Sequence, residues 1–202
     1  MASERLVHVI DDDEAMRDSL AFLLGTAGFE VKTYESATHF LHDLPDAGCV
    51  VTDVRMPDLN GLELVGRLNE RRFKLPVIMM TGHADVPMAV QAMKAGVVDF
   101  IEKPFEDTVI IGALEAALAP KRAASAHDPQ RSLIVERLRS LSQRELQVLE
   151  GLVAGKANKV VAYDLGISPR TVEVYRANVM TKMQAGSLSE LVRMAMVAER
   201  GT

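Results

Sequence analysis

Five short strand patterns alternate with five helical patterns over the first 118 residues, and this alternation restricts the fold more than any other feature of the sequence. Most of the strand patterns are almost unbroken apolar runs, as is typical of strands covered on both faces. They lie at 6–10, 30–34, 49–52, 76–80 and 97–101. Because strands that alternate with helices are joined by crossover connections, we predict an α/β domain with a doubly wound, five-stranded parallel sheet.

Polar side chains with complementary chemistry follow four of the five strands. Asp11 and Asp12 follow the first strand, Asp53 the third, Thr81 the fourth and Lys103 the fifth. In an open parallel sheet the carboxyl ends of the strands lie at one edge, where ligands bind. We therefore predict that two acids, a third acid, a hydroxyl and an ammonium converge on one site.

This set of groups favours phosphoryl transfer. Three neighbouring carboxylates repel each other, so a hard cation that prefers oxygen ligands, such as Mg²⁺, is expected among them. A carboxylate that attacks phosphorus forms an acyl phosphate. A lysine and a hydroxyl beside the transferred group supply the positioning and the electrostatic stabilisation that this reaction mainly needs.

The charge of the chain changes sign after this region. Residues 1–119 hold 10 Lys and Arg against 20 Asp and Glu, a balance of −10, whereas residues 120–202 hold 13 against 8, a balance of +5. A basic half favours nucleic acid as a partner. The small, polar, proline-bounded stretch that begins at Pro120 predicts a linker over 120–137, possibly helical in part, before a second domain at 138–202.

Four helical patterns joined by short loops predict an all-α helix-turn-helix domain in this second half. The first begins with the capping box Leu141-Ser-Gln-Arg-Glu145. Asn158 or a neighbour is expected to cap the second helix, and Ser168-Pro169 supplies an N-cap followed by a proline at the first helical position of the third. Ser187 and Glu190 predict another capping box for the last helix.

The third of these helices has two distinct faces. At about 100° per residue, Val172, Tyr175, Val179 and Met183 form one stripe that is expected to face the core. The opposite face is expected to enter the major groove of DNA, while flanking cations contact phosphates. On that face a carboxylate can accept from cytosine, and Val or Ala can contact a thymine methyl group. The residues expected at the DNA interface are Lys159, Arg170, Thr171, Glu173, Val174, Arg176, Ala177, Asn178 and Lys182.

Both halves resemble known families. Residues 5–118 resemble the receiver domain of two-component response regulators. The resemblance rests on four motifs in the order that the family has them: Asp11-Asp12, Asp53, Thr81 and Lys103-Pro104. Residues 138–199 resemble the LuxR-type DNA-binding domain, on motifs that include Leu141-Ser-Gln-Arg-Glu145, Gly155-Lys-Ala-Asn-Lys159 and Thr171-Val172. The combination of these two domains is similar to the NarL/FixJ class of response regulators. The segment Gly82-His-Ala-Asp-Val-Pro87 is most similar to the FixJ branch of that class.

The resemblance implies a role for each residue at the sheet edge. Asp53 would accept a phosphoryl group from a histidine kinase, and Lys103 would pair with the phosphoryl oxygens. Mg²⁺ would be held by Asp11, Asp12, Asp53 and the backbone carbonyl of Arg55. Phe100 would be an aromatic switch coupled to Thr81, and the Lys103–Pro104 peptide would be cis. The implied partners are a sensor histidine kinase, double-stranded promoter DNA, RNA polymerase and, after phosphorylation, a second copy of the chain.

Two other functions fit part of the pattern. A phosphatase or phosphotransferase of the dehalogenase type also uses an aspartate nucleophile at a strand end, but it has a second Asp two residues later, where this chain has Arg55. A receiver whose output is protein binding would leave residues 138–202 without a DNA target. The basic balance and the helix-turn-helix pattern of that region count against this alternative.

The remaining features concern the location of the protein. The single Cys49 permits no disulfide within the chain, which fits a reducing compartment. The sequence has neither a secretory signal pattern nor an apolar run of 18 residues. We therefore expect a soluble cytoplasmic protein with no membrane partner. From the motifs above we expect a transcription regulator that is not an enzyme, apart from its own phosphorylation from a donor and slow self-dephosphorylation.

Overall fold

The computed structural model of the protein describes residues 5–82, 86–119 and 129–199. The chain divides into two compact units, one made of Met1–Ala84 and Lys94–Pro120, the other of Asp85–Met93 and Lys121–Thr202. The elements up to residue 119 are β1 (Leu6–Ile10), α1 (Glu14–Thr26), β2 (Glu30–Tyr34), α2 (Ala37–His42), β3 (Cys49–Asp53), α3 (Gly61–Glu70), β4 (Val77–Thr81), α4 (Val86–Lys94), β5 (Asp99–Glu102) and α5 (Asp107–Leu118).

The five strands form one parallel sheet in the order β2-β1-β3-β4-β5. This confirms the predicted doubly wound α/β fold. The chain reverses its direction of winding between β1 and β3, and in such sheets the ligand site lies beyond the carboxyl ends of the strands at that point. The register pairs Asp53 with Met80 and Thr81 with Glu102, so the ends of β3, β4 and β5 are level with one another.

One face of the sheet is covered by α1 and α5. Because side chains alternate between the two faces of a strand, Val7 and Val9 of β1 lie on the same face as Val51 of β3. They form a buried cluster with Leu24 of α1 and Leu114 of α5, both of which are fully buried. This packing fixes the position of the strands in the fold, and with it the position of the residues at their carboxyl ends.

Over residues 129–199, which the structure describes, helices are the only regular elements. They are α6 (Pro129–Arg139), α7 (Gln143–Val153), α8 (Asn158–Leu165), α9 (Pro169–Met183) and α10 (Leu188–Glu199). The last four are the predicted helices of the helix-turn-helix domain. Gly166, between α8 and α9, has a φ of 65°, a left-handed conformation that glycine adopts at little cost. Three members of the predicted inward stripe of α9, Val172, Val179 and Met183, are fully buried, and the fourth, Tyr175, is half-buried against the same cluster.

The helix α6 crosses the predicted boundary between linker and second domain. Residues 129–137 of the predicted linker are helical, while residues 120–128 lie outside the described residues. Ile134 of α6 is buried in the same apolar cluster as Leu152 and Val179. The domain limits at 119 and 137 stay predictions.

The helix caps agree with the sequence patterns in two of four cases. The capping box of Ser142 and Glu145 is present, and Ser168 caps α9 with Pro169 in its first turn. The N-cap of α8 is Ala157, a neighbour of Asn158; it makes no side-chain cap bond, and Asn158 is already helical. At α10, Ser187 Oγ accepts from the Glu190 N–H, but the Glu190 carboxylate accepts from the Gly186 N–H rather than closing the predicted box.

Within the described ranges, no helix is both long and apolar enough to cross a membrane.

Candidate functional sites

The Asp53 carboxylate lies at the carboxyl end of β3 and is 7% exposed. Its Oδ2 accepts a hydrogen bond from the backbone N–H of Arg55, and its Oδ1 lies 2.7 Å from Nζ of Lys103. The loop that follows is held close to the strand because Gly61 packs against the Asp53 carbonyl. A Cβ at Gly61 would lie 2.5 Å from that oxygen, so only glycine fits there.

Lys103 connects two of the predicted acids. Its ammonium donates to Asp53 Oδ1 at 2.7 Å and to Asp11 Oδ2 at 2.9 Å, although these residues are 50 and 92 positions away in the chain. Burial of Lys103 by itself would lower the pKa of its ammonium, but the two carboxylates outweigh this effect and the pKa lies above its ordinary value. The peptide between Lys103 and Pro104 is cis.

The neighbouring acids occupy different environments. Asp11 is buried, its Oδ1 accepts from the N–H of Asp13, and its backbone carbonyl accepts from the Arg17 guanidinium at 2.8 Å. Asp12 is exposed. The side chain of Asp13 caps α1 by accepting from the N–H groups of Ala15 and Met16. The acidic run after β1 therefore contributes one buried carboxylate, one exposed carboxylate and one helix cap.

The two predicted switch residues are both buried. Thr81 ends β4, and its carbonyl accepts from the Lys103 N–H at 2.7 Å, which fixes the end of β5 beside it. Phe100 lies in β5 and is 7% exposed, so its ring is already directed away from solvent in this structure. The sheet thus brings Asp11, Asp53, Thr81 and Lys103 to one edge, as the sequence predicts.

The oxygen donors at this edge suit a hard divalent cation. Asp11 and Asp53 are two carboxylates close enough to share one ammonium, so the site already attracts positive charge. Among the described residues, no three side chains of His, Cys, Asp or Glu are grouped closely enough to hold a metal ion by themselves. Mg²⁺ needs only one or two protein carboxylates, since it keeps several waters in its shell.

The outer face of α9 is accessible along its length. Val174, the apolar residue of this face, is 56% exposed. Thr171 and Arg176 are half-buried, and the Thr171 hydroxyl bonds with Ser168 Oγ at 2.8 Å as part of the helix cap. The predicted interface residues that are exposed are Lys159, Arg170, Glu173, Val174, Ala177, Asn178 and Lys182.

Lys182 differs from the other predicted interface residues because its exposed side chain is bonded to residues of its own unit. Its Nζ donates to Glu145 Oε2 at 2.7 Å and to the Ser140 carbonyl at 3.4 Å. Glu145 is 4% exposed, and the hydrogen bonds from Lys182 and from the Ser142 N–H lower the pKa of its carboxyl to about 2. This geometry gives Lys182 a structural task, and its predicted phosphate contact stays a prediction.

Two protein-family models match the chain. The response regulator receiver domain matches residues 7–115, and the bacterial regulatory proteins of the luxR family match residues 139–195. The chain belongs to the response regulators with a LuxR-type DNA-binding domain.

Relatives of this response regulator align over nearly its whole length. Transcriptional regulatory protein FixJ of Azorhizobium caulinodans is 60% identical over 194 residues, covering 95% of this chain and 92% of the relative. The protein of the same name from Rhizobium meliloti is 57% identical over 197 residues, covering 96% and 97%. A crystal structure of full-length FixJ from B. japonicum is 54% identical with a TM-score of 0.53, covering 98% of both chains. The names of the relatives are those of transcription regulators, not of enzymes.

Several residues that shape these sites were not predicted. Arg17 and Gly61 support the response regulator's acidic site, and Arg137 and Glu145 support the end of α9. Gly61 follows an Asn in a loop pattern, which signals a turn but not a close approach to Asp53. Arg137 carries no sequence signal, because its partners in α9 are 46 and 47 positions away.

Proposed function

We propose that the chain is a cytoplasmic, phosphorylation-controlled transcription regulator in which Asp53 accepts a phosphoryl group from a sensor histidine kinase. The observation that carries this proposal is the buried Asp53 carboxylate bonded to Lys103, which also bonds Asp11, at the carboxyl edge of a parallel sheet. Membership of the response regulators supports it. The partner on the kinase is a phosphohistidine, whose P–N bond is readily broken.

In the proposed reaction a carboxylate oxygen of Asp53 attacks the phosphorus of the phosphohistidine. An O–P bond forms while the P–N bond breaks, and the electron pair of the broken bond stays on the imidazole nitrogen of the kinase. Lys103 lies 2.7 Å from the reacting carboxylate and is protonated. Its ammonium can therefore donate to the phosphoryl oxygens and stabilise their negative charge during the transfer. The hydroxyl of Thr81 is the proposed second donor to these oxygens.

The proposed ligands of Mg²⁺ are Asp11, Asp12, Asp53 and the backbone carbonyl of Arg55. When bound, the ion would supply charge neutralisation for the phosphoryl oxygens. Asp11 is buried and positioned by Arg17 and by the Asp13 N–H, so it can hold a cation at a fixed place. Asp12 is exposed and can contribute through a bound water.

The proposed output is promoter binding by α9. The exposed face of Arg170, Glu173, Val174 and Ala177 would read bases in the major groove, with Thr171 and Asn178 at its edge. Lys159, Arg176 and Lys182 would contact phosphates. We further propose that phosphorylation promotes a homodimer and that the bound dimer acts on RNA polymerase.

Labelling with acetyl phosphate tests the phosphoacceptor. The unsubstituted chain is expected to incorporate one phosphoryl group in the presence of Mg²⁺, and Asp53→Asn is expected to incorporate none. Asp58→Asn is the matched control, since Asp58 is an exposed acid of the same loop whose carboxylate bonds Thr38 of α2. Equal labelling of Asp53→Asn and the unsubstituted chain, or equal labelling in EDTA, contradicts the proposal.

A further inference from the structure

The C-terminal end of α9 is held by a side chain from outside the helix-turn-helix. Arg137, in the last turn of α6, donates from Nη1 to the Met183 carbonyl at 3.0 Å and from Nη2 to Gln184 Oε1 at 2.6 Å. The Met183 carbonyl is one of the four at a helix end that have no partner within the helix. A cation at this end also interacts favourably with the helix dipole.

The residue that Arg137 grips has an uncommon backbone conformation. Gln184 is the C-cap of α9 with a φ of 53°, in the left-handed region where helix C-caps are usually glycine. Its N–H donates to the Thr181 carbonyl at 3.1 Å, and the N–H of Ala185 donates to Met180 at 3.0 Å. A non-glycine residue stays in this conformation only when its surroundings hold it there. The Arg137 bond to the Gln184 side chain is such a restraint.

The attachment between the two helices is reciprocal. Lys182 of α9 donates to the carbonyl of Ser140, directly after α6, at 3.4 Å. Arg137 near the end of α6 therefore donates to a carbonyl of α9, and Lys182 near the end of α9 donates to the carbonyl that follows α6. Ile134 of α6 is buried in the apolar cluster that also contains Val179 and Met183 of α9, so α6 has a fixed position from which Arg137 acts.

We propose that Arg137 is a positioning residue for DNA binding, which holds the recognition helix α9 in its binding conformation by clamping the C-cap at Gln184. This inference rests on the proposed role of α9. Without the clamp, the last turn of α9 frays and a smaller fraction of the chain has the binding geometry. The apparent Kd rises in inverse proportion to that fraction. Hydrogen bonds to a charged group are strong enough that removing them can weaken DNA binding about tenfold.

The experiment compares two arginines of one helix. Arg137→Gln removes the clamp, whereas Arg139→Gln removes the same charge from the exposed end of α6. The double variant Arg137→Gln with Gln184→Gly tests the cause, since glycine adopts a positive φ without a restraint. The probe is a duplex selected from a random-sequence pool by the unsubstituted full chain after treatment with acetyl phosphate. Kd is measured as a function of salt, and amide hydrogen exchange is followed at Gln184 and Ala185.

The expected result is about tenfold weaker binding for Arg137→Gln, no change for Arg139→Gln, and partial recovery in the double variant. The salt slope of Arg137→Gln is expected to equal that of the unsubstituted chain, because no phosphate contact is lost. Exchange at Gln184 and Ala185 is expected to accelerate in Arg137→Gln only.

Three outcomes overturn the inference while leaving DNA binding intact. These are unchanged affinity of Arg137→Gln, an equal loss in Arg139→Gln, and a double variant no better than Arg137→Gln alone. A flatter salt slope for Arg137→Gln would instead identify a direct phosphate contact and also overturn a positioning role. Failure of the unsubstituted chain to enrich any duplex overturns the proposed DNA binding, and this inference with it.

Discussion

At the scale of single residues, the ammonium of Lys103 is the feature of the acidic site that matters most. It is the cation bonded to both Asp11 and Asp53, and these acids repel each other without it. We predict that Lys103→Met lowers the rate of labelling by acetyl phosphate about 100-fold, the typical cost of losing one donor to a developing oxyanion. The rate is measured with radiolabelled donor. The control Lys74→Met, at an exposed site after α3, is expected to be labelled at the rate of the unsubstituted chain. A labelling rate of Lys103→Met within about twofold of the unsubstituted rate contradicts the role of Lys103 in stabilising the phosphoryl oxygens.

The Glu145–Lys182 pair predicts a pH dependence of the C-terminal unit. The pKa of Glu145 is lowered to about 2 in the folded protein, so the pair contributes stability above the ordinary pKa of 4.5 and loses it as the pH falls towards 2. In Glu145→Gln the amide can still close the capping box, and the ion pair is lost. We expect this variant to unfold at a lower temperature at pH 7, with the difference shrinking below pH 4.5. Glu150→Gln, exposed on the same helix, serves as control; parallel curves at all pH values contradict the prediction.

Residue chemistry was predictable from the sequence where strand order alone brings groups together. Asp53 and Thr81 end their strands and Asp11 and Lys103 directly follow theirs. A parallel sheet places such ends at one edge whatever the loops do. Glu145 was predicted only as a helix cap, because its pairing with Lys182 depends on how α7 packs against α9, 37 positions away. Local periodicity contains no information about such a contact.

At the scale of elements, strong local signals were accurate and weak ones were not. Ser168-Pro169 begins α9 because the hydroxyl accepts from the Thr171 N–H and proline suits the first turn. Asn158 has a capping side chain but is already helical, and its Oδ1 is buried without a hydrogen-bond partner in the structure. The preference of Asn for helix caps therefore placed the start of α8 to within one residue. An error of this size is typical of helix ends.

The two sides of α9 predict two kinds of defect in DNA binding. Arg176→Gln is expected to weaken binding to all sequences and to flatten the log–log salt slope by about one unit, because one phosphate contact releases about one counterion. Val174→Ser is expected to keep the slope and change which sequence is preferred, since Val174 is exposed on the face proposed to read bases. Both are measured with duplexes selected by the unsubstituted chain. A changed slope for Val174→Ser, or a changed preference for Arg176→Gln, contradicts the assignment.

At the scale of the whole molecule, the division of charge suggests how the halves act on each other. The region up to residue 119 carries −10 and the remainder carries +5. We propose that this difference gives the unmodified halves a reason to associate and to mask α9. Phosphorylation would release it and favour a receiver dimer, whose two-fold symmetry suits two half-sites about one helical turn apart.

The energy required for this switch is modest, because moving a two-state population from 1:99 to 99:1 takes about 5.5 kcal/mol. We predict that acetyl phosphate doubles the molar mass measured by light scattering and tightens binding to a selected duplex, and that Asp53→Asn does neither. Added salt is expected to reduce the factor by which the isolated region 129–202 binds DNA more tightly than the unmodified full chain. Salt weakens phosphate contacts in both proteins, but it weakens masking only in the full chain. A mass that stays monomeric, together with DNA affinity unchanged by phosphorylation, contradicts the switch even if Asp53 is phosphorylated and α9 binds DNA.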